Sequence, residues 1–145
     1  MFKRKIYDKL IAWKRESDGS SAMLIEGARR VGKSTTVEEF ARNEYDSFIL
    51  IDFSLVTSEF KQTFLDLRGD LDGFFLYLSA AYGVTLTPRR SLVIFDEVQL
   101  FPQAREFIKH LVADGRYDYA ETGSLISIKQ NVKDILIPSD RKSVV

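Results

Sequence analysis

The sequence predicts an α/β protein with three layers: a parallel β-sheet covered on both faces by helices. Three observations predict it. Short apolar runs alternate with segments of helical period along most of the chain. Those runs are continuous rather than alternating with polar residues, as strands buried on both faces are. Two chemically loaded turns, Gly27 to Ser34 and Asp96-Glu97, each follow directly on one of the runs. Strand ends are where open parallel sheets hold ligands.

Residues 3–16 read as an amphipathic helix, with Ile6, Leu10 and Trp13 at i, i+4 and i+7 and basic residues between them. The polar run Ser17-Asp18-Gly19-Ser20-Ser21 breaks it. Ala22 to Glu26 is the first strand and runs straight into Gly27. From Lys33 the period is helical, through Val37, Phe40, Ala41 and Glu44 or Tyr45. Ser47 to Phe53 is the second strand. Residues 57–82 read as mainly helical, with Leu71, Phe74, Phe75, Leu78 and Tyr82 on one face and Gly83 as the C-terminal cap. Pro88-Arg89-Arg90 is a turn, and Leu92 to Phe95 is the third strand, ending in Asp96-Glu97. Pro102 stands at a first helical position, Ala104, Phe107, Ile108 and Leu111 mark the helix face, and Asp114-Gly115 ends it. Tyr117 to Thr122 is a fourth strand, followed by Gly123-Ser124. The remainder, with Lys129, Lys133 and Pro138, reads as a tail. The expected organisation is one domain over 1–145: an N-terminal helix at 1–16, a core at 22–124 and a tail at 125–145.

Composition narrows the function classes. The chain has 145 residues, enough for one core without staples. Lys plus Arg and Asp plus Glu are both 21, which gives no electrostatic case for a nucleic-acid or membrane-surface protein. With no cysteine and one histidine, disulfides, zinc ribbons, iron–sulfur clusters, thiol nucleophiles and histidine-pair metal sites are excluded. No apolar run approaches the length of a membrane span, and no signal core follows the basic start. An intracellular, cytoplasmic protein is expected.

Gly27-Ala28-Arg29-Arg30-Val31-Gly32-Lys33-Ser34 matches the phosphate-loop pattern in full and lies between a strand and a helix, as that motif requires. The glycines let the backbone approach phosphates closely. The amides of residues 30–35 can form a nest for negative charge, reinforced by the helix start at Lys33. The Lys33 ammonium suits the β- and γ-phosphates, the Ser34 hydroxyl suits Mg²⁺, and Thr35 suits the α-phosphate. Arg29 and Arg30 read equally well as solvated loop charges and as phosphate or partner contacts.

Asp96 and Glu97 follow an apolar strand. Asp96 is the candidate metal ligand, through water, and Glu97 the group that polarises an attacking water. A single strand lies between the phosphate-loop strand and the acidic one. This fits a P-loop NTPase core of sheet order (5)-1-4-3-2, in which the fourth strand inserts between the first and third. The end of that strand would then lie beside the γ-phosphate, with Ser124 favoured over Thr122 as its polar sensor. The register leaves open whether Glu121 faces the site or a surface. Gln99 either orients water or begins a loop.

Other nucleotide chemistries fit less well. Asn131-Val132-Lys133-Asp134 has its lysine one place late for a guanine reader, and Asp70-Leu71-Asp72-Gly73 sits within a helical stretch rather than after a core strand. Both argue against a GTPase. A small-molecule kinase would usually need an arginine-bearing lid, and none is evident.

The motifs Gly-Ala-Arg-Arg-Val-Gly-Lys-Ser-Thr (27–35), Ile-Phe-Asp-Glu-Val-Gln (94–99) and Glu-Thr-Gly-Ser-Leu (121–125) together resemble the AAA-type ATPases of the prokaryotic predicted-ATPase group. The resemblance covers nearly the whole chain, including Tyr7 to Leu10 and Trp13. In that group an AAA domain precedes a C-terminal domain of unknown function. The resemblance implies ATP rather than GTP, Gly27 to Thr35 as phosphate loop, Asp96 and Glu97 as metal and water residues, and Ser124 as sensor. Family members continue past the position of Arg141 into a fifth strand, a lid and the second domain. Here Lys142 to Val145 would only begin the fifth strand, and the second sensor arginine has no counterpart.

Other residues read as structural. Trp13 fits helix packing better than a cover for adenine, His110 a helix surface, and the 11 phenylalanines a core. Arg105 and Arg116 are candidate trans-acting fingers should the chain assemble into rings or dimers. Lys3-Arg4-Lys5 with Lys14-Arg15 is a modest basic patch, read as a solvated face. The expected function is Mg²⁺-dependent ATP hydrolysis. The alternative is a nucleotide-binding switch or interaction module with little turnover, motivated by the missing lid. A nucleic-acid-linked ATPase is a weaker third reading.

Overall fold

The computed structural model describes residues 2–27, 33–124 and 141–144; for residues 2, 3, 27, 33, 34, 124 and 141–144 it describes the backbone alone. In chain order the elements are α1 (Phe2–Ser17), β1 (Ala22–Gly27), α2 (Lys33–Glu44), β2 (Ser47–Asp52), α3 (Ser58–Asp66), α4 (Leu71–Tyr82), β3 (Ser91–Asp96), a 3₁₀ turn (Val98–Leu100), α5 (Pro102–Asp114), β4 (Asp118–Ser124) and β5 (Arg141–Val144). The strands form a five-stranded sheet of order β2-β3-β4-β1-β5. Each neighbouring pair is parallel. This is the expected order, with β4 inserted between β1 and β3.

Side-chain alternation assigns the two faces. Val93 and Phe95 of β3 and Tyr119 of β4 pack with Phe64, Phe74 and Phe107, so α3, α4 and α5 cover one face. Leu92 and Ile94 of β3 and Ala120 of β4 pack with Ile6, Leu10, Trp13, Val37 and Phe40, so α1 and α2 cover the other. Phe64 lies at the centre of the first layer, with ring centroids of Phe74 at 4.9 Å and Phe101 at 5.4 Å. Trp13 belongs to the second layer: it is buried, tilted against Phe40 at 6.4 Å, and its indole N–H donates to the Ser21 carbonyl at 3.2 Å. The packing reading therefore holds over adenine cover.

The stretch 57–82 is two helices, not one. Thr57 caps α3 by accepting from the Phe60 N–H at 3.0 Å. Asp70 caps α4 by accepting from the Gly73 N–H at 3.0 Å. Asp70-Leu71-Asp72-Gly73 is thus a helix start, which explains its chance likeness to a switch motif. Gly83 and Gly115 end α4 and α5 in the left-handed region, with φ of 64° and 81°. Thr57→Ala is expected to cost about 1 kcal/mol, the usual value of such a cap, read as a lower urea midpoint at unchanged slope.

At the N-terminal edge of the sheet, buried Asp118 is held from both sides. The Tyr45 hydroxyl donates to it at 2.5 Å and Arg89 at 2.8 Å. Burial first, then the Asp118 charge, pushes the Tyr45 hydroxyl far up, so it stays a donor throughout the neutral range. The fifth strand, expected only to begin at Lys142, is present from Arg141 and pairs with Ala22 to Ile25 of β1. Residues 125–140 of the expected tail lie outside the described residues.

Candidate functional site

All strands are parallel, so their C-terminal ends gather on one edge. Gly27 ends β1, Asp96 ends β3, and Ser124 ends β4 between them. The register sets Gly27 beside Ser124 and Glu26 beside Gly123. The entry to the glycine loop and the acidic end of β3 are therefore separated by one strand. The next described residue after Gly27 is Lys33, the first of α2, so the helix opens where the motif places it. Ala28, Arg29, Arg30, Val31 and Gly32 lie outside the described residues. The side chains of Lys33, Ser34 and Ser124 do too. Thr35 is exposed in the first turn of α2.

Asp96 is buried, 6% exposed, at the end of a strand whose six residues are all buried. It continues the face of Leu92 and Ile94, the face that α1 and α2 cover. Thr122, wholly buried on the same face of β4, donates its hydroxyl to Asp96 Oδ1. The same hydroxyl accepts from the Glu97 N–H at 3.3 Å. One threonine thus ties both acidic residues to β4. Ser124 was the favoured sensor; its side chain is outside the description, and the polar group joined to the acidic pair is Thr122. The signal was present in the sequence, because Thr122 faces Asp96 once the register is known, but the register itself was not.

Glu97 leaves the strand in the left-handed region, at φ 56° and ψ 47°, which a non-glycine residue seldom occupies. This turn swings the chain at once into the 3₁₀ turn, whose Leu100 N–H donates to the Glu97 carbonyl at 3.1 Å. Gln99, on that turn, reaches back and donates its Nε2 to Glu97 Oε1 at 2.8 Å. Its role, open in the sequence, is therefore local to the carboxylate.

Glu121 faces neither the acidic pair nor solvent. It is fully buried on the opposite face of β4, and its Oε1 lies 3.5 Å from Nε of Arg105 on α5. Arg105 is itself buried, 6% exposed, so its candidacy as a trans-acting finger is overturned. Arg116 is engaged within the chain as well: it pairs with Asp72 at 2.7 Å and Asp114 at 3.2 Å and lies over the Phe75 ring at 5.1 Å. His110 is exposed on α5 beside Phe107, as its surface reading required. Among the described residues, no helix is long and apolar enough to cross a membrane.

The acidic pair can do two things chemically. A buried carboxylate at a strand end, one strand away from Gly27, offers a hard oxygen ligand to a hard cation. A second carboxylate, half-buried and aimed by its neighbours, offers a proton acceptor.

Comparisons with known proteins agree with this architecture. No curated protein is similar enough to count as a match. Among solved structures, PCH-2 of C. elegans superposes with a TM-score of 0.56 at 16% identity, over 98% of this chain and 41% of that one. The chain therefore spans less than half the length of that relative, and the likeness is one of fold. The family model for AAA domains (AAA_14) matches residues 19–138. That span runs from the breaker before β1 to just short of β5, and a match of this extent assigns the chain to the AAA domain family, nucleotide-binding domains of ATPase type.

Proposed function

We propose that this chain binds ATP at residues 27–35 and hydrolyses its γ-phosphate in a Mg²⁺-dependent reaction. The observation that carries the reading is the tethered acidic turn: Asp96 and Glu97 held by one Thr122 hydroxyl, one strand away from the start of the glycine loop. In this reading the backbone amides after Gly27 and the Lys33 ammonium bind the phosphates. Ser34 and Asp96 are oxygen donors of the kind that Mg²⁺ takes, and they would hold it. When bound, Mg²⁺ neutralises charge on the phosphate oxygens. Glu97 orients a water in line with the γ-phosphorus and accepts its proton as the new O–P bond forms and the bond to the β-phosphate oxygen breaks. Lys33 stabilises the charge that gathers on the leaving ADP. Ser124, at the end of β4 beside Gly27, remains the proposed sensor. Within the family, the motifs favour the prokaryotic group in which a second domain follows, and self-association is the companion proposal.

The test is steady-state phosphate release from ATP with Mg²⁺, run beside Lys33→Ala and a nucleotide-binding titration. The expected result is release in the parent chain and its loss in Lys33→Ala, together with weakened binding, because one charged phosphate contact is gone. Binding without release would favour the other reading, a nucleotide-dependent switch.

A further inference from the structure

Resting on the hydrolytic reading above, we propose that Gln99 is a positioning residue that holds the Glu97 carboxylate in its working orientation. The backbone origin of Glu97 is already held. Its N–H is bonded to Thr122 and its carbonyl to the Leu100 N–H, and the residue occupies a left-handed conformation. The side chain still has three rotatable bonds, and a base that wanders loses the alignment a reacting water needs. Gln99 restrains the carboxylate at the far end, with Nε2 at 2.8 Å from Oε1 of Glu97.

Two further features indicate that this contact is made for the carboxylate and not for the amide. Reversing the Gln99 amide would set oxygen against oxygen, so the carboxylate dictates which end faces it. In the orientation observed, Gln99 Oε1 is buried and has no hydrogen-bond partner among the described residues. A buried acceptor left without a partner costs stability, and such groups ask for another explanation. The turn that carries Gln99 is anchored by Val98 and Phe101, both buried, so the amide is presented from a packed base.

The experiment compares the parent chain with Gln99→Ala, Gln99→Glu, Glu97→Gln and the double variant Gln99→Ala/Glu97→Gln. Each is assayed for kcat and KM, with unfolding midpoints in urea. Gln99→Ala is expected to lower kcat about tenfold, the rate equivalent of one hydrogen bond, with KM within about twofold. Gln99→Glu keeps the size of the side chain but opposes like charges, so its kcat should fall at least as far. The double variant should be no slower than Glu97→Gln alone, since Gln99 acts through that residue. Parent-like kcat in both Gln99 variants, losses that multiply in the double variant, or a fall in kcat that tracks a fall in the unfolding midpoint would each overturn the proposal. A parent chain without Lys33-dependent release would instead overturn the hydrolytic reading beneath it. That result is distinct, because it appears before any Gln99 variant is made.

Discussion

Glu97→Gln is expected to lower phosphate release by about 10²–10⁴-fold, the range that a positioned general base contributes, while nucleotide affinity stays within about twofold. The substitution is nearly isosteric. It keeps the backbone N–H that bonds Thr122, and Gln has no worse access than Glu to the left-handed conformation. The amide it introduces is a poor proton acceptor, so the loss falls on the chemical step. Asp96 and its bond from Thr122 are untouched, so metal and phosphate binding persist. The measurement is phosphate release at saturating ATP beside a binding titration. Turnover unchanged from the parent would remove Glu97 from the reaction and favour the switch reading, in which binding alone is the output.

The second large effect concerns stability. Arg105 and Glu121 are buried between α5 and β4, with 3.5 Å between Nε and Oε1. Nε and Nη2 of Arg105 have no hydrogen-bond partner among the described residues, so the buried guanidinium is incompletely satisfied. Removing Arg105 takes a counter-charge from a fully buried carboxylate. Arg105→Ala is expected to cost about 3–5 kcal/mol, a large fraction of the roughly 5–15 kcal/mol that holds a domain together. Replacing both by apolar residues, as in Arg105→Met/Glu121→Leu, removes both desolvation penalties and should be close to neutral or stabilising. Urea unfolding of the two variants beside the parent measures both values. A single variant as stable as the parent would mean that the buried Glu121 carboxylate does not depend on Arg105, and the double variant would then show no advantage.

Much of the fold was legible because its signals are local. Continuous apolar runs marked β1, β2 and β3, and the fully buried β3 shows why they lack alternation: both faces are covered. Helix ends were legible where a special residue is needed, at Gly83, Pro102 and Gly115. The break between α3 and α4 was missed because the apolar period continues across it, and only the Asp70 cap and the turn at 67–69 interrupt the helix. The fifth strand was underestimated because Arg141-Lys142-Ser143-Val144 has little apolar character of its own; it is a strand because β1 offers it a parallel edge.

The candidate site divides along the same line. The glycine-loop motif and the acidic pair are visible in residue order, since each pattern lies within one short segment. The strand order that brings them to one edge followed from counting strands. What the chain's order could not supply was the register across strands separated by more than twenty residues. That register places Thr122 against Asp96 and turns Glu121 away to Arg105, on the other face of the same strand. Adjacent residues of a strand point to opposite faces, so a shift by one position would exchange those two partners. The sequence by itself determined which chemical groups this protein carries, and which short segments carry them. The tertiary structure alone decided which groups meet, because hydrogen bonds and ion pairs act over a few ångströms in space and are blind to separation along the chain.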